Sequence, residues 1–376
     1  MQMTWVLAGE RKRRYTSVMK KHTNTHKSTK TPTTVKAKCI KLGIDVHAES
    51  YRVVRQIDDS TPQPAQKFRP GEFLLWAQKQ LALASEVHSC YEAGPLGYSL
   101  HRALIKMGIH NVVIRPQNWD ELKRGVKTDK TDALALVQRL DRYVQGNQKA
   151  LAVIRVPTPE QELARSQSRL REQLLSHRLR FEAQGRSLLL FNGLRIKGPW
   201  WKESLWEEVS QLAPPALLAL LQVLRNLLLA VQEQLKLATA RLEQSATPQP
   251  FGVGALTSQV LEREILTWNR FKNRRQVASL TGMCPGVWAT GNSCQTGSIT
   301  KHGNRRLRTA LVELAWRCVR FQPDYKPVKH WWPVLASVKA SKAAKKKAIV
   351  AIGRHLAIDL WRLNTGRTTV EKLCLH

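Results

Sequence analysis

Four carboxylates carry the residue types and spacing that hydrolytic or strand-transfer chemistry needs. Asp45 closes a strand-like apolar run over residues 39–46, and Glu92 ends a second, residues 86–91, just before Ala-Gly-Pro. Asp129 and Asp132 sit in Lys-Thr-Asp-Lys-Thr-Asp-Ala at a helix start, with Thr128 as its expected cap. Their spacing of three puts them on one helix face. Carboxylates at strand ends and on an adjoining helix can converge, and hard oxygen donors of this kind select Mg2+ or Mn2+. Two such ions about 3.5–4 Å apart would grip a scissile phosphate. Each acid also has an ordinary structural reading. Asp45 can end a strand, and Asp129 and Asp132 can favour a helix N-terminus electrostatically.

The second chemical stretch is residues 282–308, which holds five glycines and Pro285. Thr290, Ser293, Thr296, Ser298 and Thr300 supply hydroxyls that could act as nucleophiles once activated. Lys301, Arg305, Arg306 and Arg308 follow on a helix start, where amides and cations suit a phosphate. A basic surface loop before a helix explains the same residues less ambitiously.

The elements that must position these groups come from the rest of the chain. Residues 39–114 alternate strand-like and helical patterns, with 51–57 as the hairpin partner of the first strand, which predicts an α/β layered domain. Residues 160–192 place Leu163, Leu170, Leu174, Phe181, Leu188 and Phe191 on heptad-like positions, with His177 on the same seam. A cleaner seam runs through Leu217, Leu221, Leu224, Leu228, Val231, Leu235, Ala238 and Leu242. These predict a helical hairpin or coiled coil that pairs within the chain or, the favoured reading, with another copy. Beyond residue 250, a helix over 307–321 and a basic helix over 339–347 precede a further helix over 348–363.

With 376 residues there is room for two or three domains. The formal charge of +33, from 61 Lys and Arg against 28 acids, calls for a polyanionic partner, by default nucleic acid. Residues 1–38, with ten Lys or Arg and one acid, read as an arm that meets phosphates through Arg11, Arg13 and Arg14. No run of 18 apolar residues predicts a membrane span, and 216–231 is interrupted by Gln222, Arg225 and Asn226. The six scattered cysteines show no zinc-ligand spacing, and there is no apolar signal core. A reduced, cytoplasmic protein is the expectation.

Together, Gly-Ile-Asp45-Val-His, Tyr-Glu92-Ala-Gly-Pro and Lys-Thr-Asp129-Lys-Thr-Asp132-Ala closely resemble the signature of the DEDD insertion-sequence transposases, or bridge-RNA-guided DNA recombinases, which include the Piv-type invertases. Gly282-Met-Cys-Pro through Ile-Thr-Lys-His-Gly-Asn-Arg-Arg-Leu-Arg308 resembles that family's second signature. Beyond the basic arm read at 1–38, the resemblance implies an RNase H-like (RuvC-like) domain at 39–158. It further implies a helical coiled-coil insertion at 159–246 and a mainly α C-terminal transposase domain at 247–376. Mg2+ (or Mn2+) at Asp45, Glu92, Asp129 and Asp132 is implied, together with a hydroxyl nucleophile that becomes covalently joined to DNA. Implied partners are double-stranded target and donor DNA, a structured guide RNA and further copies of the chain, a dimer or a synaptic tetramer. Lys127, Lys130, Lys301, Arg305, Arg306, Arg308, Lys345 and Lys346 are the expected nucleic-acid contacts beside the arm.

One position departs from the pattern. The family's nucleophile is a serine directly before a glycine, and alignment on Gly282-Met-Cys-Pro puts Thr290, before Gly291, in its place. The extra methyl stiffens χ1 and crowds in-line attack. Ser293, three residues on, is the less hindered candidate. A metal-dependent nuclease using water, or an inactive nucleic-acid-binding homologue, are the alternative readings.

Overall fold

The computed structural model describes residues 36–116, 129–245, 253–291 and 293–375, with only the helical backbone for 129–131. The expected contacts Arg11, Arg13, Arg14 and Lys127 therefore lie outside the described residues, as do the side chains of Asp129 and Lys130 and the cap Thr128. The chain divides into two compact units, Met1–Val156 and Pro157–His376.

The first unit is a mixed sheet with helices. Strands β1 (Ala37–Val46), β2 (Tyr51–Ile57) and β3 (Gln66–Phe68) precede helix α1 (Pro70–Leu83), β4 (Ala84–Glu92), α2 (Ser99–Lys106), β5 (His110–Ile114) and α3 (Asp129–Val144). The sheet order is β3-β2-β1-β4-β5, antiparallel across β3-β2-β1 and parallel across β1-β4-β5. The short edge strand β3 has no counterpart in the sequence pattern, because three residues are too few to show alternation. Strand β1 is buried on both faces, hence its continuous apolar run. Ile40, Leu42 and Ile44 pack with Phe73 and Ala77 of α1 and Leu100 and Leu104 of α2.

The opposite face of β1 meets α3 through unusual residues. Gly43 lies so close to α3 that a Cβ there would run into the Ala133 carbonyl and come within 2.5 Å of the Val137 amide nitrogen. Two residues earlier on the same face, Lys41 is buried and donates from Nζ to Asp141 Oδ1 (2.5 Å) and to the Asp58 carbonyl (2.9 Å). Asp58, at φ 45°, also accepts the Cys39 amide on its Oδ1. A bare glycine and a paired lysine thus clamp α3 along β1.

The second unit is mainly helical. Helix α4 (Pro159–Phe191) starts at a capping box between Thr158 and Gln161. After α5 (Glu203–Leu212), α6 (Pro215–Gln244) returns antiparallel to it, with Arg171 bonded to Thr239 and Arg178 to Gln232. Leu217, Leu221, Leu224, Leu228, Leu235 and Leu242 are buried as the heptads predict. On α4 the predicted seam is covered only in part: Phe181 and Leu188 pack against this core, but Leu163, Leu170 and Phe191 are 62%, 53% and 89% exposed. The buried face there runs through Ser168, Gly185 and Leu189, because the Trp200 ring lies against the bare backbone of Gly185. By length and composition α6 could cross a membrane, the single such helix among the described residues.

Helices α7 (Ala255–Ile265) and α8 (Arg274–Thr281) lead to a two-stranded hairpin, β6 (Pro285–Thr290) and β7 (Ser293–Ile299). Helices α9 (Arg305–Phe321), α10 (Lys326–Ala336), α11 (Lys342–Asn364) and α12 (Val370–Leu373) complete the chain. The basic 339–347 segment and the 348–363 segment are one helix, α11, begun by Ser341, whose Oγ accepts the Ala344 amide. Its Ile349, Ile352 and Leu356 pack with Leu307, Leu311 and Leu314 of α9.

Buried Glu264 on α7 ties this unit together. It accepts hydrogen bonds from Arg169 (3.0 and 3.1 Å) and Arg165 (3.3 Å) on α4, and from Asn304 Nδ2 (2.7 Å) at the start of α9. Burial alone would raise its pKa, but the bonds from Arg169 and Asn304 and the charges of Arg169 and Arg165 outweigh burial and hold it below the ordinary carboxylate value. A depressed folded pKa adds stability that is complete above the unfolded value and lost as pH falls through the folded one.

Two outcomes follow. Gly43→Ala should destabilise the first unit by about 3 kcal/mol through overpacking against α3, read as a lowered midpoint in thermal unfolding. Glu264→Gln should lower stability at neutral pH by about 2–3 kcal/mol. It should also flatten the fall in stability below about pH 4 that the wild type shows in acid titration monitored by circular dichroism.

Candidate catalytic and nucleic-acid-binding sites

The acidic edge is assembled by register. Ile44 of β1 pairs in parallel with Tyr91 of β4, so Asp45 and Glu92, one residue on, end neighbouring strands side by side. Alternation puts Asp45 on the face of Lys41 and Gly43, and Glu92 on the face of Cys90. Both are the α3 face: Gly43 meets Ala133 and Val137, and Cys90 Sγ lies 3.5 Å from the Leu136 carbonyl. Helix α3 meets β1 in reverse order, Asp141 at Lys41 and Val137 with Ala133 at Gly43. Half-buried Asp132 directly precedes Ala133, so the first turn of α3 adjoins the Gly43 contact. The Cys90 thiol is pushed up first by burial and then by the Glu92 charge. Asp45 Oδ2 is 3.1 Å from His47 Nε2. Among the described side chains no three of His, Cys, Asp and Glu are close enough to hold a metal, and the Asp129 side chain lies outside them.

The hydroxyl stretch, read from the sequence as a glycine-rich loop, is an exposed hairpin. Thr290 pairs with Ser293 and Trp288 with Gln295. Gly291 takes φ 53°, the positive value that two-residue hairpin turns require. Both candidate nucleophiles flank this turn, exposed, and opposite residues share a face, so their side chains lie on the same side of the hairpin. The foot of the hairpin is rigid. Gly282 ends α8 at φ 66°, and a Cβ on Gly303 would come within 2.5 Å of the Gly282 amide and the Leu280 carbonyl. The backbone of Lys301 donates to the Gly282 carbonyl (3.0 Å) and that of Asn304 to the Leu280 carbonyl (2.7 Å).

The expected phosphate contacts divide. Arg308 is turned back onto the carbonyls of Thr281 (3.1 Å) and Lys301 (3.3 Å), and Arg306 pairs with Glu172 on α4 (2.5 Å). Their first duty is to hold the start of α9 in place. Lys301 and Arg305 are exposed, as is Lys346, while Lys345 is half-buried. Sequence reading passed over a stronger cationic feature. Arg274 and Arg275 of α8 line a cavity of about 470 Å³ with Arg354, His355 and Arg362 of α11, floored by Ala278, Cys284 and Ile358. Only Arg362 among these has a carboxylate partner, Asp359 at 2.9 Å, within the described residues. His355 is held below the usual imidazole value by burial and then by Arg354. Guanidinium groups around a concave floor suit phosphate oxygens. The sequence signal was the Arg274-Arg275 pair, separated from its partners by some eighty residues.

Residues 249–329, which include the whole hairpin, match the family described as Transposase IS116/IS110/IS902. The Sinorhizobium fredii protein y4rJ, named as a transposase, is 31% identical over 308 residues, 74% of this chain and 77% of its own length. A second protein named as a transposase from that organism, y4qE, is 28% identical over 80% of this chain and 84% of its own length. The transposase for insertion sequence element IS1111A of Coxiella burnetii is 24% identical over 72% and 75%. Joined to the acidic edge and the hairpin, these similarities fix the identity: the chain belongs to the IS116/IS110/IS902 family of transposases, enzymes of DNA transposition.

Proposed function

We propose that this transposase cuts and rejoins DNA through a covalent hydroxyl–phosphate intermediate. In this reading the acidic edge of an RNase H-like (RuvC-like) N-terminal domain supplies the metal ligands, and the hairpin of the C-terminal transposase domain supplies the hydroxyl. The observation that carries it is the register that brings Asp45 and Glu92 side by side at the ends of β1 and β4, on the face that α3 meets at Gly43. Carboxylate oxygens are the donors that fit a hard divalent cation, and His47 stands beside Asp45. Asp45, Glu92, Asp129 and Asp132 would hold Mg2+ or Mn2+, which supplies charge stabilisation to a phosphoryl transition state.

The hydroxyl oxygen of Thr290 or Ser293 attacks phosphorus and gives up its proton. The bond from phosphorus to the leaving deoxyribose oxygen breaks, and that oxygen is protonated. The new phosphodiester to the protein keeps the bond energy, and attack by the hydroxyl of another strand reverses the step. Exposure of the hairpin tip supports access to a duplex. The excess of cations and the family resemblance support a structured guide RNA that selects target and donor DNA.

A homo-oligomer is supported by a stripe on α6. The heptad seam is covered within the chain, but Leu220, Val223, Leu227 and Leu237, at heptad spacing on another face, are 57%, 60%, 43% and 42% exposed. A second copy covering it fits a dimer or a synaptic tetramer.

On denaturing gels, the full chain with Mg2+, guide RNA and DNA should yield a protein–DNA adduct. Asp45→Ala and Asp132→Ala should abolish it, and either Thr290→Ala or Ser293→Ala should as well. If Thr290 is the nucleophile, Thr290→Ser should react at least as fast, having lost the methyl. Cleavage with no adduct would mean that water attacks directly, and adducts in both alanine variants would remove the hairpin from the chemistry. Separately, Leu220→Glu with Leu227→Glu should lower the mass measured by light scattering while helicity is retained.

A further inference from the structure

The hairpin carries an aromatic ring that neither the fold nor the hydroxyl chemistry uses. Trp288 on β6 is 64% exposed. Its indole does not fold into a core but lies across the bare backbone of two glycines. A Cβ on Gly297 of β7 would overlap the six-membered ring, and one on Gly286 would stand 3.3 Å from its Cη2. Any side chain at Gly297 would lift the ring off its bed. The two positions under the indole are thus left empty, and the residue remains largely open to solvent.

Its placement is specific. Trp288 pairs with Gln295, and Thr290 with Ser293, in an unbroken antiparallel register. Residues two apart share a face, so the indole and both hydroxyls stand on the same side of the hairpin. Two residues along a strand amount to about 7 Å, the scale of one nucleotide step. A flat, exposed aromatic at that distance from a phosphate-seeking hydroxyl is placed to meet a base.

We propose that Trp288 is a binding site for a nucleobase, stacking on an unpaired base of the DNA strand that is cut, next to the phosphate offered to Thr290 or Ser293. Stacking would hold the strand after local unpairing and fix the phosphate against the hydroxyl. The placement of the base beside the scissile phosphate rests on the hydroxyl reading above; the stacking itself does not. Base–aromatic stacking is tolerant of sequence, since every base has a π-face, so Trp288 is a positioning residue and leaves base choice to other groups.

Binding measured without chemistry tests this. The full chain is titrated with gapped duplexes whose unpaired nucleotide is either an intact base or an abasic site. Trp288→Ala should weaken binding to the intact gapped DNA about 5- to 100-fold, and Trp288→Phe should recover most of that. For wild type the abasic site should weaken binding by a similar factor, whereas for Trp288→Ala it should change little. Gly297→Ala, which keeps the tryptophan but lifts it, should reproduce the loss in smaller measure. Equal abasic effects in wild type and Trp288→Ala would overturn the proposal. So would a loss confined to guide RNA, or a lowered oligomer mass in place of lowered DNA affinity. An abasic effect that depends on Trp288 in a protein that never forms an adduct would sustain the stacking and sink only the hydroxyl reading.

Discussion

The missing methyl group of Gly43 sets the geometry on which the acidic edge depends. A helix packed on a sheet through ordinary side chains stands about 10 Å away, too far for short carboxylates on both to converge. At Gly43 the backbone of α3 comes down onto β1 itself, against Ala133 and Val137. The buried Lys41–Asp141 pair then fixes where along the strand the helix lies. A buried pair is a weak stabiliser, since desolvation opposes it, but it penalises every other register in which the charges would be unpaired. The contact and the pair act on the same helix and fix its path along β1.

The C-terminal unit solves a different problem, holding an exposed hairpin steady. Backbone packs on backbone at Gly282 and Gly303, with no side chain between to give way. Asn304 caps α9 with its Oδ1 and reaches Glu264 with its Nδ2, so one side chain links the hairpin foot, α7 and the long helix α4. Arg306 and Arg308 add to the same brace. A strongly basic sequence therefore spends part of its positive charge on its own carbonyls and carboxylates. The arginines that face a cavity with no carboxylate partner among the described residues, Arg274, Arg275 and Arg354, are a different set from those the motif suggests.

The long helices show how a correct pattern can be assigned to the wrong partner. The leucines of α6 at heptad spacing are buried, but the cover comes from α4 and the tryptophans of the intervening turn. The same helix carries a second apolar stripe, Leu220, Val223, Leu227 and Leu237, that stays largely exposed among the described residues. On α4 the leucines are dense enough to fit more than one frame, and the bulky Trp200 decides which face is inner by needing Gly185.

Local chemistry was enough to mark Asp45, Glu92, Asp129 and Asp132, because acids closing apolar strands and sharing a helix turn are conspicuous within a few residues. The β1–β2 hairpin of the first unit, the α6 seam and the polyanion-seeking charge were legible for the same reason: each is a periodic or summed property. The sequence could not show that Gly43 is where helix meets sheet, that residues 285–299 form a hairpin, or that α11 is one helix. Nor could it show that Arg308 faces inward, that Arg274 and Arg354 share a cavity, or that Trp288 lies on Gly297 beside two hydroxyls. Those facts depend on contacts between segments far apart in the chain, and such contacts have no period. Sequence determined which groups could do the chemistry; tertiary packing, acting through positions where a side chain is absent, decided where they stand.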